Sequence, residues 1–142
     1  MNGGCIVGAG IDLVENARIR EMLDKWGTRF RDKVFLPEEQ AYCESKACPC
    51  DHYAGRFAVK EAVSKAFGTG MGPSIGWLDI EVVRNTVTGA PSVRLSEKGR
   101  TMADSMEISE VLVSLSHTRT HTVAHALLVS NGKPCSAERS PP

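Results

Sequence analysis

The pattern of apolar and polar positions predicts the first two elements of the chain. Residues 5–14 mix apolar side chains with glycines and predict a β-strand, in which Asp12 interrupts an otherwise apolar end. A helix is predicted from Ile19 onward, because apolar residues recur there at the spacing of one helix face, and Gly27 is a suitable end. The apolar residues of this face are Ile19, Met22, Leu23 and Trp26.

Proline, glycine and acidic residues mark the elements that follow. Pro37 and the two acidic residues after it predict a short helix, because proline suits the first turn and acids complement the helix dipole. Asp51 is a candidate cap of a longer helix that runs to Phe67 and ends at Gly68. Further predictions are strands at residues 77–84, 91–95, 111–117 and 122–129 and a helix at residues 96–106. Strands in sequence pairs with helices between them indicate an α+β fold with an antiparallel sheet.

Length and composition predict one domain of ordinary soluble character. The chain has 142 residues, 42% of them hydrophobic and 24% charged, which suits a single domain at residues 1–130 followed by a flexible tail at residues 131–142. No apolar run approaches the roughly 20 residues of a membrane-spanning helix, and the first ten residues lack the regions of a secretory signal. We therefore expect a cytoplasmic protein that does not bind membranes.

Charge is balanced overall but uneven along the chain. The formal net charge is zero, which argues against a general nucleic-acid binder. Basic residues nevertheless outnumber acidic ones between Arg18 and Lys33, and Arg18 and Lys25 lie together beside the apolar face of the first helix. This basic face could meet an acidic partner, and an ordinary solvated helix surface is the alternative.

The cysteines are interpreted as thiols. Their number is five, which is odd, and no export signal accompanies them, so a disulfide framework is not indicated. Cys43, Cys48, Cys50 and His52 are close in sequence, but their spacing does not match the paired gaps of common zinc sites and no second cluster exists.

The helix that ends at Gly68 carries an unusual charged face. At about 100° per residue, one arc of roughly 140° holds five residues, while alanines, valines and Phe67 fill most of the remainder and form a core face. The residues of this arc are Phe57, Lys60, Glu61, Ser64 and Lys65. Glu61 and Lys65 could be no more than an exposed ion pair one turn apart, worth a few tenths of a kcal/mol.

Asp12 favours a functional interpretation of that face. A carboxylate at the end of an apolar strand is costly unless it is paired, bound to metal or at the surface. Asp12 and Glu61 could share Mg²⁺, which combines one or two protein carboxylates with phosphate oxygens and waters. Lys65 could contact the same phosphates, and glycines after the helix would allow close approach of the backbone. The phosphate-binding motif GxxxxGK[ST] is absent.

Four segments together resemble a known family. GIDLVE at residues 10–15, AGRFAVKEAVSKAFGTGMG at 54–72, WLDIEV at 77–82 and VSLSHT at 113–118 are similar, in this order, to holo-acyl-carrier-protein synthase, the small class of 4′-phosphopantetheinyl transferases. The resemblance extends from about Gly8 to Val129 and implies the α+β fold of that family. It also implies transfer of 4′-phosphopantetheine from coenzyme A to a serine of an acidic apo acyl carrier protein in fatty-acid synthesis. The implied cofactor is Mg²⁺, for which Mn²⁺ could substitute, and the implied product is adenosine 3′,5′-bisphosphate.

The resemblance also implies roles for individual residues. The metal-binding carboxylates match Asp12 and Glu61, and the lysine that contacts the coenzyme pyrophosphate matches Lys65. The positions that line the coenzyme pocket in similar proteins are Arg56, Lys60, Gly68, Gly70 and His117. Arg18 corresponds to the basic first helix that docks the carrier protein, with Lys25 as a further docking candidate. Short members of the family are typically homotrimers with sites between subunits, so the resemblance implies this assembly here.

The implied chemistry assigns a proton acceptor. The serine hydroxyl must lose its proton, and Glu61 is the helix carboxylate nearest the expected metal, so we hypothesise that it is the general base, directly or through water. Asp12, Glu61 and Lys65 are therefore the predicted catalytic residues. His121 and His125 follow His117 at four-residue spacing, but the surrounding Thr and Val residues predict a strand, so both are interpreted as surface or packing residues.

Two other functions remain open from the sequence. A module that holds coenzyme A or carrier protein without chemistry would keep the basic helix and the pocket but would not need both Asp12 and Glu61. A transferase that serves a dedicated polyketide or peptide synthase carrier would look the same in sequence, and a panel of carriers would distinguish it.

Overall fold

The central element of the molecule is its longest helix, which packs against a three-stranded sheet. A computed structural model of the chain describes residues 3–132. The predicted tail lies outside the described residues from position 133 onward. In chain order the elements are β1 (Cys5–Glu15), α1 (Asn16–Trp26), α2 (Thr28–Val34), α3 (Pro37–Glu44), α4 (Pro49–Ala66), β2 (Ile80–Arg84), β3 (Pro91–Leu95), α5 (Glu97–Ser105), β4 (Glu110–His117) and β5 (His121–Ser130).

The strands form two antiparallel sheets. One sheet has the order β1-β5-β4, and the other is the β2-β3 hairpin. In the larger sheet Asp12 pairs with Ala124 and Val14 with Thr122, so the first and last strands of the chain are neighbours. The predicted α+β class with antiparallel sheets is confirmed.

Glycines in β1 allow α4 to lie directly on the strand backbone. A Cβ atom on Gly10 would lie 2.0 Å from the Ala62 carbonyl oxygen, and one on Gly8 would lie 2.5 Å from that of Ala66. Any side chain at these positions would therefore push the helix away from the sheet. Since alternate residues of a strand share a face, Asp12 points to the same side as Gly10 and meets α4.

Helix α4 is buried more completely than its sequence pattern predicts. Lys60 and Ser64, which were expected on the charged arc, are fully buried together with the alanines and valines. The helix is enclosed because β1, β2, β4, β5, α1 and α3 all contact it. A single charged arc is thus divided into a buried part at Lys60 and an accessible part at Glu61 and Lys65.

Two local predictions were wrong, and one was confirmed. Asp51 does not cap α4, because the helix begins at Pro49 and its N-cap residue is Cys48. Gly27 ends α1 as predicted, and its amide donates to the Leu23 carbonyl oxygen at 2.9 Å. Its positive φ of 50° turns the chain into a helix that was not predicted, α2, which begins at the next residue. Phe30 and Val34 of α2 are buried. Residues Trp77–Asp79 form a 3-10 turn instead of the start of a strand, and the Asp79 carboxylate accepts a hydrogen bond from the Gly76 amide at 2.8 Å.

The larger sheet has an apolar face opposite α4. Ile11 is 61% exposed, Leu13 67% and Leu112 43%. Their alternation with residues that face the helix places them on the outer side of the sheet. No helix among residues 3–132 has the length and apolarity needed to cross a bilayer.

The cysteines of the described range are free thiols. Cys43 is fully buried, and burial raises the pKa of its thiol to about 12. Cys48 is exposed, and Cys50 is half-buried with its Sγ 3.6 Å from the Asn16 carbonyl oxygen.

Candidate active site

The structure brings Asp12, Glu61 and Lys65 together where β1 crosses α4. Lys65 Nζ donates to Asp12 Oδ1 at 2.9 Å and to the Ile11 carbonyl oxygen at 3.1 Å. Glu61 lies one helical turn before Lys65 and is half-buried. The Asp12 and Lys65 side chains are 14% and 47% exposed, so this cluster is open to solvent and to a ligand.

The electrostatics of the cluster show that two carboxylates act on each other. Burial raises the pKa of Glu61, and the Asp12 carboxylate raises it further. Lys65 and Arg18 act in the opposite direction, which places the α1 arginine near the same carboxylate. Two carboxylates and two cations from β1, α1 and α4 therefore meet at one place.

This donor set fits a hard divalent cation. A cation between the Asp12 and Glu61 carboxylates would relieve the repulsion that raises the Glu61 pKa. Within residues 3–132 no group of three or more His, Cys, Asp or Glu side chains is placed to hold a metal. Mg²⁺ suits a site with two carboxylates, because it completes its octahedral shell with waters and phosphate oxygens. Residues from the carboxylate cluster could thus hold Mg²⁺ together with a phosphate ligand.

A pocket of about 670 Å³ lies between α3, α4 and the β2-β3 hairpin, and we call it the cationic pocket after its basic residues Lys46, Arg56 and Arg84. Three glutamates, Glu38, Glu39 and Glu81, also line it. Tyr42 lines this pocket, and three basic side chains surround it. Arg56 Cζ is 4.1 Å and Lys46 Nζ 4.5 Å from the centroid of this ring, and Arg84 Nη1 donates to the Tyr42 hydroxyl at 2.8 Å. Burial lowers the pKa of the neighbouring His52, and the positive charges of Arg56, Lys46 and Arg84 lower it further.

Arg56 carries an unused donor in this pocket. The residue is 8% exposed, and its Nε atom is buried without a hydrogen-bond partner among the described residues. A buried donor without a partner is costly, and an anionic ligand would satisfy it. The pocket is therefore suited to a phosphate-bearing molecule.

His117 ends β4 beside a second cavity, of about 330 Å³, which also reaches Arg56. His121 and His125 are exposed on β5, so the predicted strand is confirmed for this segment. The turn after His117 is tied to the start of α1, because the buried Asn16 side chain donates to the Thr118 carbonyl oxygen at 3.3 Å. Sequence reasoning missed this link, since an asparagine before an apolar helix face carries no signal for a distant turn.

Gly68 and Gly70 are needed for backbone conformation. Their φ angles are 82° and 63°, and a Cβ atom on either would meet nothing within 4 Å. The Gly68 amide donates to the Lys65 carbonyl oxygen at 2.9 Å and the Gly70 amide to that of Ser64 at 3.1 Å. Both amides therefore close the end of α4, and the contact of this backbone with a coenzyme stays a prediction.

Lys60 is placed away from both the carboxylate cluster and the solvent. Its Nζ donates to Glu39 Oε1 at 2.6 Å, to the Val34 carbonyl oxygen at 2.7 Å and to that of Trp77 at 3.0 Å. These bonds use all three ammonium protons. This placement differs from the expectation that Lys60 lines the coenzyme pocket, because the side chain is fully buried and has no donor left for a ligand.

The basic face on α1 borders an apolar groove. Arg18 and Lys25 are exposed, and Lys25 Nζ lies 5.1 Å from the ring centroid of Trp26, which is 43% exposed. The groove has a volume of about 260 Å³ and is lined by Met22, Trp26, Arg29, Phe30 and Lys33. Its apolar floor and basic rim suit an acidic helix with an apolar face.

Sequence reasoning found Arg56 and missed the rest of the cationic pocket. Tyr42, Lys46 and Arg84 come from α3, the loop after it and β2, so no spacing in the sequence relates them. The available signal was composition alone, and a tyrosine with nearby basic residues is common on protein surfaces.

Comparison with known proteins defines the class of this chain. Residues 8–125 match the family model described as the 4′-phosphopantetheinyl transferase superfamily. The chain belongs to this superfamily and is therefore an enzyme of the transferase class.

Individual relatives are more specific. The chain is 45% identical to a holo-[acyl-carrier-protein] synthase of Ruminiclostridium cellulolyticum over 84% of its own length and 89% of that protein. Its structure resembles the crystal structure of holo-[acyl-carrier-protein] synthase from Neisseria meningitidis, with a TM-score of 0.82, 28% identity and coverage of 87% and 98% of the two chains. It also resembles the Helicobacter pylori holo-[acyl-carrier-protein] synthase in complex with coenzyme A, with a TM-score of 0.75, 31% identity and coverage of 84% and 98%. The predicted family and its fold are confirmed.

Proposed function

We propose that this protein transfers the 4′-phosphopantetheine group of coenzyme A to a serine of apo acyl carrier protein and releases adenosine 3′,5′-bisphosphate. Membership of the transferase superfamily and the coenzyme A complex of the Helicobacter pylori relative support this proposal. The single observation that carries it is the cluster of Asp12, Glu61 and Lys65, because a module that only binds would not need two mutually repelling carboxylates beside a lysine.

Coenzyme A offers two anionic groups, and the chain offers two cationic places. The pyrophosphate is assigned to Lys65, and the phosphate on the ribose is assigned to the cationic pocket, where Arg56 has an unused donor. His117 lines the second cavity, which also reaches Arg56. Separate sites for the two groups would fix the coenzyme so that the phosphate to be attacked lies near the carboxylates.

The chain supplies a base and a charge that offsets the leaving group. Glu61 accepts the proton of the serine hydroxyl, and Lys65 offsets negative charge on the pyrophosphate as the bond to the leaving phosphate breaks. Asp12 and Glu61 would hold Mg²⁺, or Mn²⁺ in its place, and the metal would supply Lewis-acid stabilisation of the phosphate oxygens. Arg18, beside Glu61, orients the approach of an acidic carrier from the α1 side.

Replacement of Asp12 tests the metal assignment. Asp12→Ala removes one of the two carboxylates, so the concentration of Mg²⁺ needed for half-maximal activity is expected to rise about tenfold or more. Titration of activity with Mg²⁺ measures this, with Glu97→Gln on the exposed start of α5 as the matched control. An unchanged metal requirement would remove Asp12 as a ligand.

A homotrimer with sites between subunits is supported by the exposed apolar sheet face. Ile11 and Leu13 flank Asp12 in β1 and point to the opposite side. An interface formed on this face would therefore lie beside the metal-binding position. Light scattering measures the mass in solution, and a monomer at working concentration would contradict this part of the proposal. The cytoplasmic location stays a prediction.

Mass spectrometry of the carrier tests the reaction directly. Apo acyl carrier protein is incubated with the protein, coenzyme A and Mg²⁺, and a gain of about 340 Da, one phosphopantetheine, is expected and should be lost in EDTA. A panel of fatty-acid, polyketide and peptide synthase carriers then defines the partner. Binding of coenzyme A without a mass gain on any carrier would favour the module without chemistry.

A further inference from the structure

A buried ion pair joins the elements that form the cationic pocket. The Glu39 and Lys60 side chains are 1% and 0% exposed, and their charged atoms are 2.6 Å apart. Such a pair contributes little to stability by itself, because the cost of removing two charges from water offsets their attraction. Its hydrogen bonds to the surrounding backbone indicate another role.

The two side chains bond to backbone groups of four different segments. Glu39 Oε1 accepts from the Leu36 amide at 2.9 Å, and Glu39 Oε2 accepts from the Val82 amide at 3.0 Å. Lys60 donates to the carbonyl oxygens of Val34 and Trp77. The pair therefore connects the end of α2, the start of α3, the 3-10 turn and β2 to the middle of α4.

These are the walls of the cationic pocket. Glu39 and Val82 both line it, and their hydrogen bond crosses from α3 to the β2-β3 hairpin. Tyr42 follows Glu39 by three residues in α3, Arg84 follows Val82 by two residues in β2, and Arg56 precedes Lys60 by one turn in α4. The pair and its hydrogen bonds therefore fix the backbone close to Tyr42, Arg84 and Arg56.

We propose that Glu39 and Lys60 are positioning residues that set the spacing between α3, α4 and the β2-β3 hairpin, and through it the affinity of the cationic pocket for the nucleotide end of the coenzyme. This inference rests on the proposed function, because it assigns a ligand to the pocket. Neither side chain touches the ligand, since both are enclosed and their donors and acceptors are used.

Two double variants separate positioning from stability. Glu39→Leu/Lys60→Met removes both charges and every hydrogen bond of the pair, while apolar replacement of a buried ion pair preserves folding in comparable cases. Glu39→Gln/Lys60→Met also leaves no buried charge but keeps one oxygen that can accept from Leu36 or Val82. Lys98→Met is the matched control, because it removes an exposed ion pair with Asp79, and neither of these residues lines the pocket.

The readouts are calorimetric binding of adenosine 3′,5′-bisphosphate, the KM values for coenzyme A and carrier protein, and the melting temperature. We expect the apolar double variant to bind the nucleotide about tenfold or more weakly and to show a matching rise in the KM for coenzyme A, with the carrier KM unchanged. The polar double variant should have a nucleotide affinity and a KM for coenzyme A between those of the apolar double variant and the native protein. The Lys98→Met variant should match the native protein in all three readouts.

A purely structural pair would give a different result. The folded fraction and the apparent kcat would fall, whereas nucleotide affinity and both KM values of the folded enzyme would stay native. That result in either double variant would overturn the positioning role. Failure of the native protein to bind adenosine 3′,5′-bisphosphate or to modify a carrier would instead contradict the proposed function itself.

Discussion

Helix α4 carries two lysines, five residues apart, whose ion pairs differ in almost every physical respect. Lys60 and Glu39 are enclosed, and the ammonium group has three acceptors. Lys65 and Asp12 are at the surface, and the Lys65 side chain is 47% exposed. The first pair joins segments of the chain, and the second leaves its charges accessible to a ligand.

This difference shows how burial decides what a charged residue can do. A lysine whose three ammonium protons are all hydrogen-bonded inside the protein cannot bind a phosphate. An exposed lysine can instead exchange its carboxylate partner for a phosphate group at little cost in free energy. The enclosed pair should therefore matter for geometry, and for stability when only one of its partners is lost, whereas the exposed pair should matter for chemistry.

Replacing the lysine of each pair in turn should give the largest difference between the two pairs, in the free energy of unfolding. Lys60→Met leaves the Glu39 carboxylate buried without its partner and is expected to lower the free energy of unfolding by about 3–5 kcal/mol. Lys65→Met breaks an exposed pair and should change the free energy of unfolding by about 1 kcal/mol or less. Urea unfolding of both variants gives the comparison directly. Equal losses of stability would show that the two environments do not differ in the way their exposure indicates.

Replacement of Glu61 tests the chemical side of the comparison. Glu61→Gln keeps the shape of the side chain but cannot accept the serine proton, so kcat is expected to fall about 100-fold or more. The assay is carrier modification at saturating Mg²⁺ and coenzyme A, with Glu97→Gln as the control at an exposed glutamate. Near-native turnover of the Glu61 variant would exclude its role as the base.

The exposed cluster of Asp12, Glu61 and Lys65 could be predicted from the sequence. Asp12 interrupts an apolar strand and Glu61 and Lys65 are one turn apart, so local pattern and resemblance together indicated one cluster. The structure places Lys65 in contact with Asp12, and Glu61 is near enough for both charges to act on its pKa. The predicted strands and helices were mostly correct for the same reason, because local periodicity and turn residues determine them.

The buried ion pair of Glu39 and Lys60 could not be predicted in the same way. Helical periodicity gives the direction of a side chain but not which elements later cover it, so Lys60 was assigned to the same arc as Glu61. Tertiary packing of α3 and β2 against α4 buries one end of that arc. The second helix was missed because glycine at a helix end permits both a stop and, as at Gly27, a turn into another helix.

The close contact between β1 and α4 is what keeps the accessible cluster together. Gly10→Ala would place a methyl group 2.0 Å from the Ala62 carbonyl oxygen, so the strand must shift away from the helix. The expected cost is about 1–3 kcal/mol of stability, together with weaker metal-dependent activity because Asp12 moves with the strand. Thermal unfolding and the carrier assay measure the two effects. Gly3→Ala is the control, because a Cβ atom there meets nothing within 4 Å. An active, fully stable Gly10 variant would show that the contact does not position Asp12.

The smallest expected effect concerns the carrier protein and separates docking from coenzyme binding. Arg18 is exposed on α1 and close enough to influence Glu61, and we have proposed that it orients an acidic carrier. Arg18→Glu reverses that charge and is expected to raise the carrier KM about tenfold while the KM for coenzyme A changes little. The effect should shrink as salt is added, because exposed charges are screened. Arg100→Glu, an equal charge reversal on the exposed side of α5, is the control and should leave both KM values unchanged. Equal increases in the two KM values of the Arg18 variant would mean that this arginine acts on the shared cluster and not on carrier docking.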